Sequence, residues 1–359
     1  MKVIVIAGIV LVVIILFLIF RIATLVVVLK GGEKKDGQSN QINALLFLIF
    51  LIVSGSVLLW YAYTKYDEYT LPVASEHGVI TDNLFWVTTL ITGFVFIITQ
   101  ALLFYFPFKY QYKENRKAFF YPDNNMIEML WTIIPAIALA ILIFYGLTVW
   151  NDITEEAPQK AERIEILGHQ FAWKLRYPGK DNLLGKHDYR LIMAENPVGV
   201  DFTDKNAFDD FSAGQMYLPK GIPVELRIRA RDVLHSVFAP HFRLKMDAVP
   251  GMVTSFWFVP TKTTAEMRVE TGNVNFNYEI ACTEICGYGH FGMRMIVVVV
   301  EPDEFNEWKN SQQTLIQREP GLLKYVSEDL KELAKIKSGL ADIQDKENDE
   351  SVSVAGSNK

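Results

Sequence analysis

Four long apolar segments in the first half of the chain limit its possible folds more than any other feature. They cover residues 3–29, 44–63, 85–108 and 131–150 of 359. A helix needs about 20 apolar residues to cross a hydrocarbon layer of ~30 Å, and each segment reaches that length. Half of all residues are hydrophobic, and this content is concentrated near the start of the chain. We therefore predict about four transmembrane α-helices.

The first apolar segment has two interpretations. Lys2 before an apolar run is typical of a secretory signal peptide. However, the run is too long for one, contains Arg21, and lacks a small-residue cleavage signature before Gly31 and Gly32. We favour a helix that is retained.

The charged residues between the apolar segments predict the orientation of the helices. Basic residues follow the first and third segments (Lys30, Lys34, Lys35, Lys109, Lys113, Arg116 and Lys117), whereas Lys65 is the only Lys or Arg between the second and third. Loops rich in Lys and Arg remain on the cytoplasmic side of a membrane. The N-terminus and everything after residue 150 are therefore predicted to lie on the outer side.

From about residue 162 the sequence pattern changes to that of an all-β sandwich or barrel. Short β-branched and aromatic runs alternate there with Gly, Pro and Asp. Strands are predicted over residues 163–177, 189–193, 224–230, 255–259, 265–270, 275–281 and 295–301. After about residue 314 this pattern ends. Residues 322–340 could form a helix of mixed charge, and the acidic segment 342–359 is predicted to be disordered.

The only two cysteines of the chain lie close to other metal-binding side chains. Cys282 and Cys286 are followed by His290 and Met293. Thiolate, imidazole and thioether together suit copper, and a weak Met is a common axial ligand at electron-transfer copper sites. A mononuclear site of this kind needs one Cys, whereas two thiolates could each bridge two copper ions. The segment therefore predicts a two-copper site that passes electrons singly.

The segment has three other interpretations. A structural zinc site usually has four closed ligands and repeats a two-residue spacing. A disulfide could form in an oxidising compartment, but it would leave His290 and Met293 unexplained. A thioredoxin-type copper chaperone also carries Cys-x3-Cys, but it would need a following Pro and a βαβ pattern. We favour copper.

The segment from Cys282 to Met293, Cys-Thr-Glu-Ile-Cys-Gly-Tyr-Gly-His-Phe-Gly-Met, closely resembles the binuclear copper (CuA) loop of cytochrome c oxidase subunit II. The resemblance implies a cupredoxin-like Greek-key domain. It also implies that the backbone carbonyl of Glu284 is a ligand and that a second His comes from an earlier strand. That His is His235, in Asp-Val-Leu-His-Ser-Val-Phe-Ala-Pro, whereas His241 lies outside the match.

The membrane segments resemble the same family. Ser-Glu-His-Gly-Val-Ile precedes the third segment and Glu-Met-Leu-Trp-Thr-Ile-Ile-Pro-Ala opens the fourth, as in the transmembrane hairpin of the family. We predict two extra helices over 1–70, the hairpin over 71–155, the CuA domain over 156–310, and a polar, partly disordered tail over 311–359.

Two glutamates are singled out for roles beside copper binding. Glu128 begins the fourth segment, where a carboxylate at a membrane edge is a functional candidate. The resemblance implies the mouth of a proton path into subunit I, although an acid in a first helical turn also simply favours the helix dipole. The carboxylate of Glu284 corresponds to one that reaches a magnesium ion shared with subunit I, or it is a solvated loop acid.

An aromatic segment, Gly-His-Gln-Phe-Ala-Trp, departs from the family pattern. The family usually has Trp directly after His-Gln as the first acceptor of electrons from cytochrome c, whereas this chain has Phe171, followed by Trp173. Both are candidates for that role, although Trp173 could be a core residue.

A run of acidic residues in a probable loop has two interpretations. It is either a solvated face or, with two further acids, a surface that steers a basic cytochrome c. Its members are Asp201, Asp204, Asp209 and Asp210, and the further acids are Asp232 and Glu266.

The predicted function is that of subunit II of a haem-copper cytochrome c oxidase. The CuA centre would accept electrons from cytochrome c, or from a c-type haem subunit, and pass them to haem in subunit I, where oxygen is reduced to water and protons are translocated. Since the chain contains no Cys-x-x-Cys-His, a fused cytochrome c domain is not expected. The alternatives are a CuA subunit of a nitric oxide reductase and a stand-alone copper-binding protein.

The predicted location is the bacterial inner membrane, with the CuA domain on the periplasmic side. The four spans and the long tail look more bacterial than mitochondrial. Subunit I, other oxidase subunits and the lipid membrane are expected partners, and nucleic acid is not.

Overall fold

The computed structural model describes residues 2–29, 36–113 and 115–341. The glycines and lysines of residues 30–35 and the predicted disordered segment 342–359 lie outside this range. The chain divides into two compact units. One combines Met1–Asp67 with Leu90–Leu130, and the other combines Glu68–Thr89 with Trp131–Lys359.

The N-terminal half of the chain forms helices. They are α1 (Lys2–Leu29), α2 (Asp36–Thr64), the short α3 (Tyr66–Tyr69), α4 (Glu76–Lys109) and α5 (Asn125–Thr154). Among the described residues, three helical stretches are long and apolar enough to cross a membrane, namely Asn40–Thr64, Glu76–Lys109 and Asn125–Thr154. In α1, the part whose side chains the structure describes contains a shorter apolar stretch, Val10–Val26. The fourth span is not confirmed and stays a prediction.

Local contacts explain where these helices begin and how they pack. The side chain of Asn124 accepts a hydrogen bond from the N–H of Ile127 at 3.2 Å, which caps the start of α5. Within the first unit, α2 packs against α4 through Phe47 and Phe50, whose ring centroids lie 5.9 and 5.6 Å from that of Phe104.

The second unit contains two β-sheets. Its strands are β1 (Glu162–His169), β2 (Ala172–Arg176), β3 (Met216–Pro219), β4 (Val224–Ala230), β5 (His235–Ala239), β6 (Leu244–Ala248), β7 (Thr254–Phe258), β8 (Tyr278–Cys282) and β9 (Arg294–Val300). One sheet has the order β2-β1-β4-β7 and the other has the order β3-β9-β8-β5-β6. This β-rich domain is consistent with the predicted cupredoxin-like fold.

Two strand predictions are wrong for local reasons. Residues 189–193 contain a 3-10 turn, Tyr189–Leu191, because the side chain of Asp188 accepts the N–H of Arg190. Residues 265–270 lie in helix α6 (Thr264–Thr271). Thr263 and Glu266 form a reciprocal capping box at its start and Gly272 ends it in the left-handed conformation, which are strong helix signals.

The main core lies between the two sheets and contains inward-facing residues of both. Ile164 and Ile166 of β1 and Leu226 of β4 belong to the same buried cluster as Val237 of β5 and Ile280 of β8. Burying a side chain of this size contributes about 1.5–3 kcal/mol. This core fixes the relative position of β5 and β8, the two strands that lead to the cysteines and His235.

A second apolar cluster includes the C-terminal segment. Ile316 in α8 (Leu315–Arg318), Leu322 and Leu340 pack with Phe202 and Phe208 of the loop before β3. Helices α7 (Pro302–Asn310) and α9 (Lys331–Lys337) belong to the same segment. Only part of the predicted 322–340 helix forms, since Pro320–Tyr325 is a 3-10 turn. The tail is thus folded as far as residue 341.

Four buried charged residues form a compensated network beside β1. Arg176 donates to Glu165 at 2.6 Å and to Asp210 at 2.7 Å, and Arg229 donates to Glu165 at 2.6 Å. Burial alone would raise the pKa of Glu165, but Arg176 and Arg229 outweigh this effect and hold it at about 2. Burial raises the pKa of Asp210 to about 7. Glu165 is thus the carboxylate that neutralises part of the charge of both buried arginines.

We expect Glu165→Gln to destabilise the β domain at pH 7 by about 3–5 kcal/mol, because it leaves two buried guanidiniums without their shared anion. The lowered pKa of Glu165 means that its contribution is present above about pH 4.5 and is lost as the pH falls towards 2. Urea unfolding of the full chain in detergent micelles, followed by near-UV circular dichroism at several pH values, measures both effects.

The matched control is Glu332→Gln, because Glu332 is exposed and pairs with Lys335 at 3.2 Å. Its loss should cost at most about 1 kcal/mol. Equal stability of the Glu165→Gln variant and the wild type would contradict the structural role of the network.

Candidate metal centre

Strand pairing brings the two distant parts of the predicted site together. β5 runs antiparallel to β8, with Val237 opposite Cys282. His235 therefore lies beside Cys282, although 47 residues separate them in the sequence. Backbone hydrogen bonds from Thr283 to Ser236 and from Cys282 to Met293 close the loop between β8 and β9 against this pair. The sheet thus supplies a fixed base for every predicted copper ligand.

Each of the other four predicted ligands has its ligand atom within 4 Å of one of the two cysteine sulfurs. The Sγ atoms of Cys282 and Cys286 are 3.9 Å apart, and His235 Nδ1 lies 3.9 Å from Cys282 Sγ. Cys286 Sγ lies 3.6 Å from His290 Nδ1 and 3.9 Å from Met293 Sδ. Cys282 Sγ also lies 3.2 Å from the carbonyl oxygen of Glu284.

The two cysteines are free thiols in this arrangement. Both are buried, and their sulfur separation of 3.9 Å is far longer than a disulfide bond of about 2.05 Å. Burial and the neighbouring Cys282 raise the pKa of the Cys286 thiol to about 11. Two adjacent buried thiolates would therefore need a cation between them, which is what a metal site provides.

A hydrogen bond holds the imidazole of His235 in the tautomer that a metal ligand at Nδ1 requires. Its Nε2 lies 2.9 Å from Asp232 Oδ1, so we assign the ring proton to Nε2 as the donor. The Nδ1 atom, which faces Cys282, then keeps its lone pair. A carboxylate behind a histidine ligand is the usual way to orient it.

The donor set fits copper. Two thiolates, two imidazoles, a thioether and a carbonyl are gathered, and the ligand atoms of His235, Cys282 and Cys286 lie within 4.8 Å of one another. Soft sulfur donors with imidazole select copper, whereas a structural zinc site would not use the thioether. The residues present therefore fit a copper centre, which these side chains would hold.

The two aromatic candidates lie in different environments. Phe171 is 38% exposed and covers the metal loop, since a Cβ atom at Gly289 would lie 2.6 Å from its ring. Trp173 is only 5% exposed, and its ring centroid lies 5.9 Å from that of His235. Trp173 therefore packs in the core behind the ligand, and Phe171 is the surface residue of the pair.

The two candidate glutamates and His241 lie in three different environments. Glu284 is half-buried in the metal loop, and Glu128 is exposed in the first turn of α5. His241 is not part of the centre, because its Nδ1 contacts the carbonyl of Pro72 at 2.9 Å.

The acidic run does not form the predicted solvated face. Asp209 and Asp210 are 4% and 0% exposed, and Asp210 pairs with Arg176. Of the further acids, Glu266 pairs with Lys220, and Asp232 contacts His235. The solvated-face interpretation is therefore wrong for Asp209 and Asp210, which serve the interior of the domain.

Sequence reasoning missed the contribution of Gln170. Its side-chain Nε2 donates to the carbonyl oxygen of Cys286 at 2.6 Å, and its backbone N–H donates to Asp232 Oδ2 at 2.8 Å. The residue stands in the aromatic segment Gly-His-Gln-Phe-Ala-Trp. The signal in the sequence is its position directly before the aromatic residues of that segment, although the partners of Gln170 lie 62 and 116 residues away.

A β domain with a Cys, His and Met metal centre, joined to apolar helices, defines a membrane-anchored metalloprotein. The chain matches the family "Cytochrome C oxidase subunit II, transmembrane domain" over residues 59–149. It also matches the family "Cytochrome C oxidase subunit II, periplasmic domain" over residues 163–300.

Curated relatives carry the same description. The chain is 35% identical to the alternative cytochrome c oxidase subunit 2 of Bradyrhizobium diazoefficiens over 276 residues, which are 76% of this chain and 92% of that relative. It is 25% identical to cytochrome c oxidase subunit 2 of Thermostichus vulcanus over 270 residues, covering 67% of this chain and 78% of that relative.

Among solved structures, the periplasmic domain of subunit II of cytochrome oxidase of Bradyrhizobium japonicum is 23% identical, with a TM-score of 0.29. It covers 44% of this chain and 96% of that one. A likeness this distant adds nothing to the assignment, which stands on the family matches and the curated relatives.

The chain belongs to the cytochrome c oxidase subunit II family, and it is thus a subunit of a haem-copper oxidase, an oxidoreductase. The family binds copper in a CuA centre. The predicted family is confirmed.

We expect His235→Asn to lose the shared-electron signal of a two-copper centre, because the only imidazole supplied by β5 is removed. His241→Asn is the control, since His241 is partly buried nearby in sequence but contacts Pro72 instead. Electron paramagnetic resonance and copper analysis of the copper-loaded full chain measure the difference. Loss of the signal in both variants, or in neither, would contradict the assignment of His235.

Proposed function

We propose that His235, Cys282, Cys286, His290, Met293 and the carbonyl of Glu284 hold two copper ions and that this CuA centre carries electrons from cytochrome c to haem in subunit I. The observation that carries this proposal is the sulfur separation of 3.9 Å between Cys282 and Cys286, with the other four ligand atoms each within 4 Å of one of these sulfurs. When bound, the copper pair supplies a site that gains and loses one electron at a time. Oxygen reduction to water and proton translocation then take place in subunit I.

The chain contributes a rigid frame for that chemistry. Cys282 and Met293 are tied through their backbones at 3.0 Å, and the N–H of His290 donates to the carbonyl of Gly287 at 3.2 Å. These bonds keep the loop in one shape whichever redox state is present. Little rearrangement then accompanies each electron, which favours fast transfer.

Electrons would arrive over the exposed side of the centre. Phe171 is the surface aromatic residue that covers the metal loop, so we assign it the role of first contact with cytochrome c or with a c-type haem subunit. Trp173 packs against His235 from inside and supports the ligand.

The β domain would lie on the periplasmic side of a bacterial inner membrane. Lys109 ends α4, and Lys113, Arg116 and Lys117 lie in the connection between α4 and α5. Basic loops remain cytoplasmic. We assign α1 to a fourth span because its full sequence is apolar over residues 3–29. Helices α1 and α2 would then contact subunit I or other oxidase subunits within the lipid bilayer.

Two carboxylates have further proposed roles. Glu128 lies exposed in the first turn of α5, where it could pass protons to subunit I. The half-buried side chain of Glu284 would supply one ligand of a magnesium ion shared with subunit I, because Mg²⁺ usually takes only one or two protein carboxylates.

The copper-loaded full chain in detergent should show two coppers per chain and an unpaired electron shared by both nuclei. Cys286→Ser removes one bridging sulfur and should convert this pattern to that of a single copper nucleus. Metal analysis and electron paramagnetic resonance decide the matter. One copper in the wild type, or zinc alone, would overturn the proposed centre.

We expect Glu128→Gln to lower the turnover of the assembled oxidase and its proton uptake while the copper signal stays unchanged. Glu155→Gln is the control, since Glu155 is exposed just beyond the other end of α5. Oxygen consumption and proton uptake of both variants, reconstituted in vesicles, would be compared. Unchanged turnover in Glu128→Gln would leave this residue as a helix-dipole partner only.

A further inference from the structure

Gln170 connects the two parts of the metal centre. It lies between β1 and β2, and its side-chain Nε2 donates to the carbonyl oxygen of Cys286 at 2.6 Å. Its backbone N–H donates to Asp232 Oδ2 at 2.8 Å, and Asp232 Oδ1 accepts from His235 Nε2 at 2.9 Å. A continuous path of hydrogen bonds therefore joins a ligand of the loop to the ligand of β5.

The metal loop leaves space for this contact. Gly287 follows Cys286 and has a φ of +130°, a conformation that favours glycine. A Cβ atom at Gly287 would lie 2.9 Å from Gln170 Nε2 and 3.0 Å from the ring of Phe171. Glycine at this position thus lets the amide reach the carbonyl of Cys286.

Asp232 is fully engaged in the same path. Besides the bonds from Gln170 and His235, its Oδ1 accepts the backbone N–H of Val233 at 2.8 Å. Both of its oxygens are therefore occupied by groups in fixed positions. Asp232 is therefore anchored through both oxygens, and Gln170 bridges it to Cys286.

We propose that Gln170 is a positioning residue of the copper centre, which holds Cys286 and His235 at a fixed separation and sets the reduction potential. This rests on the copper centre proposed above. Groups behind metal ligands orient them and tune the metal. Loss of the amide frees the backbone of Cys286, so the two coppers no longer share the electron equally.

The direction of the effect on the potential follows from charge. The amide N–H points its positive end at the peptide of a thiolate ligand, which favours the reduced, less positive copper pair. Removing this donor should lower the reduction potential. Placing a carboxylate at the same position should lower it further, because negative charge favours the oxidised pair.

The test uses the copper-loaded full chain in detergent. Gln170→Leu removes the side-chain donor, and Gln170→Glu keeps the size and replaces the donor by an acceptor. Both retain the backbone N–H that binds Asp232. The matched control is Gln215→Leu, because Gln215 is exposed and lies outside the path. Copper content, reduction potential and the electron paramagnetic resonance pattern are measured for each.

The expected order of reduction potentials is wild type, then Gln170→Leu, then Gln170→Glu, with the copper pattern of both variants less evenly shared. Gln215→Leu should match the wild type. Wild-type potential and pattern in both Gln170 variants at full copper content would overturn the proposal. Failure of the wild type itself to show a shared electron would instead overturn the proposed copper centre.

A double-mutant cycle separates a connected path from two independent contacts. Asp232→Asn keeps the side-chain size and weakens the bond to His235. If the path acts as one unit, the shifts in potential of Gln170→Leu and Asp232→Asn will not add in the double variant, as expected for coupled residues. Additive shifts would overturn the connection between the two ligands. Near-UV circular dichroism identifies a variant that fails to fold, and Gln170→Glu then decides the question for the side chain.

Discussion

The antiparallel pairing of β5 with β8 is the interaction on which the metal centre depends. It places His235 beside Cys282, and the neighbouring pairing of β8 with β9 brings Met293 back to the same point. Strand pairing is specified by backbone hydrogen bonds and by the inward residues of both strands. A slip of one residue would turn His235 to the opposite face of the sheet. The positions of the metal ligands therefore depend on the packing of the core residues that fix the strand register.

Charge compensation is the second constraint on this domain. Arg176 and Arg229 bind both oxygens of the buried Glu165. These bonds offset the desolvation free energy of the buried charges only while all partners are present. The two buried thiols would present the same problem once they lose their protons. Bound copper would there play the part that the arginines play beside β1. The domain thus buries one charge network that its own side chains neutralise, and one pair of thiols that could hold a cation.

Much of the site could be predicted from the sequence, but less of the fold. Cys282, Cys286, His290 and Met293 stand within one short segment, so their proximity is a matter of local spacing. The strand predicted over 265–270 is wrong because Thr263 and Glu266 cap the start of a helix and Gly272 ends it, while the segment itself has only one β-branched residue, Val269. Burial of Asp209 and Asp210 could not be read from a run of acids, since Asp210 pairs with Arg176 and Asp209 with Lys337, and both partners are distant in the sequence.

The sequence by itself determined the chemistry of the centre, the apolar membrane segments and the family, because these depend on residue types at short spacing. Only the tertiary structure decided the contacts across the sheets. It placed His235 beside Cys282 and His241 against Pro72, put Phe171 at the surface and Trp173 in the core, and joined Gln170 to both Cys286 and Asp232. These outcomes depend on strand register and on packing between distant segments, which no local pattern specifies.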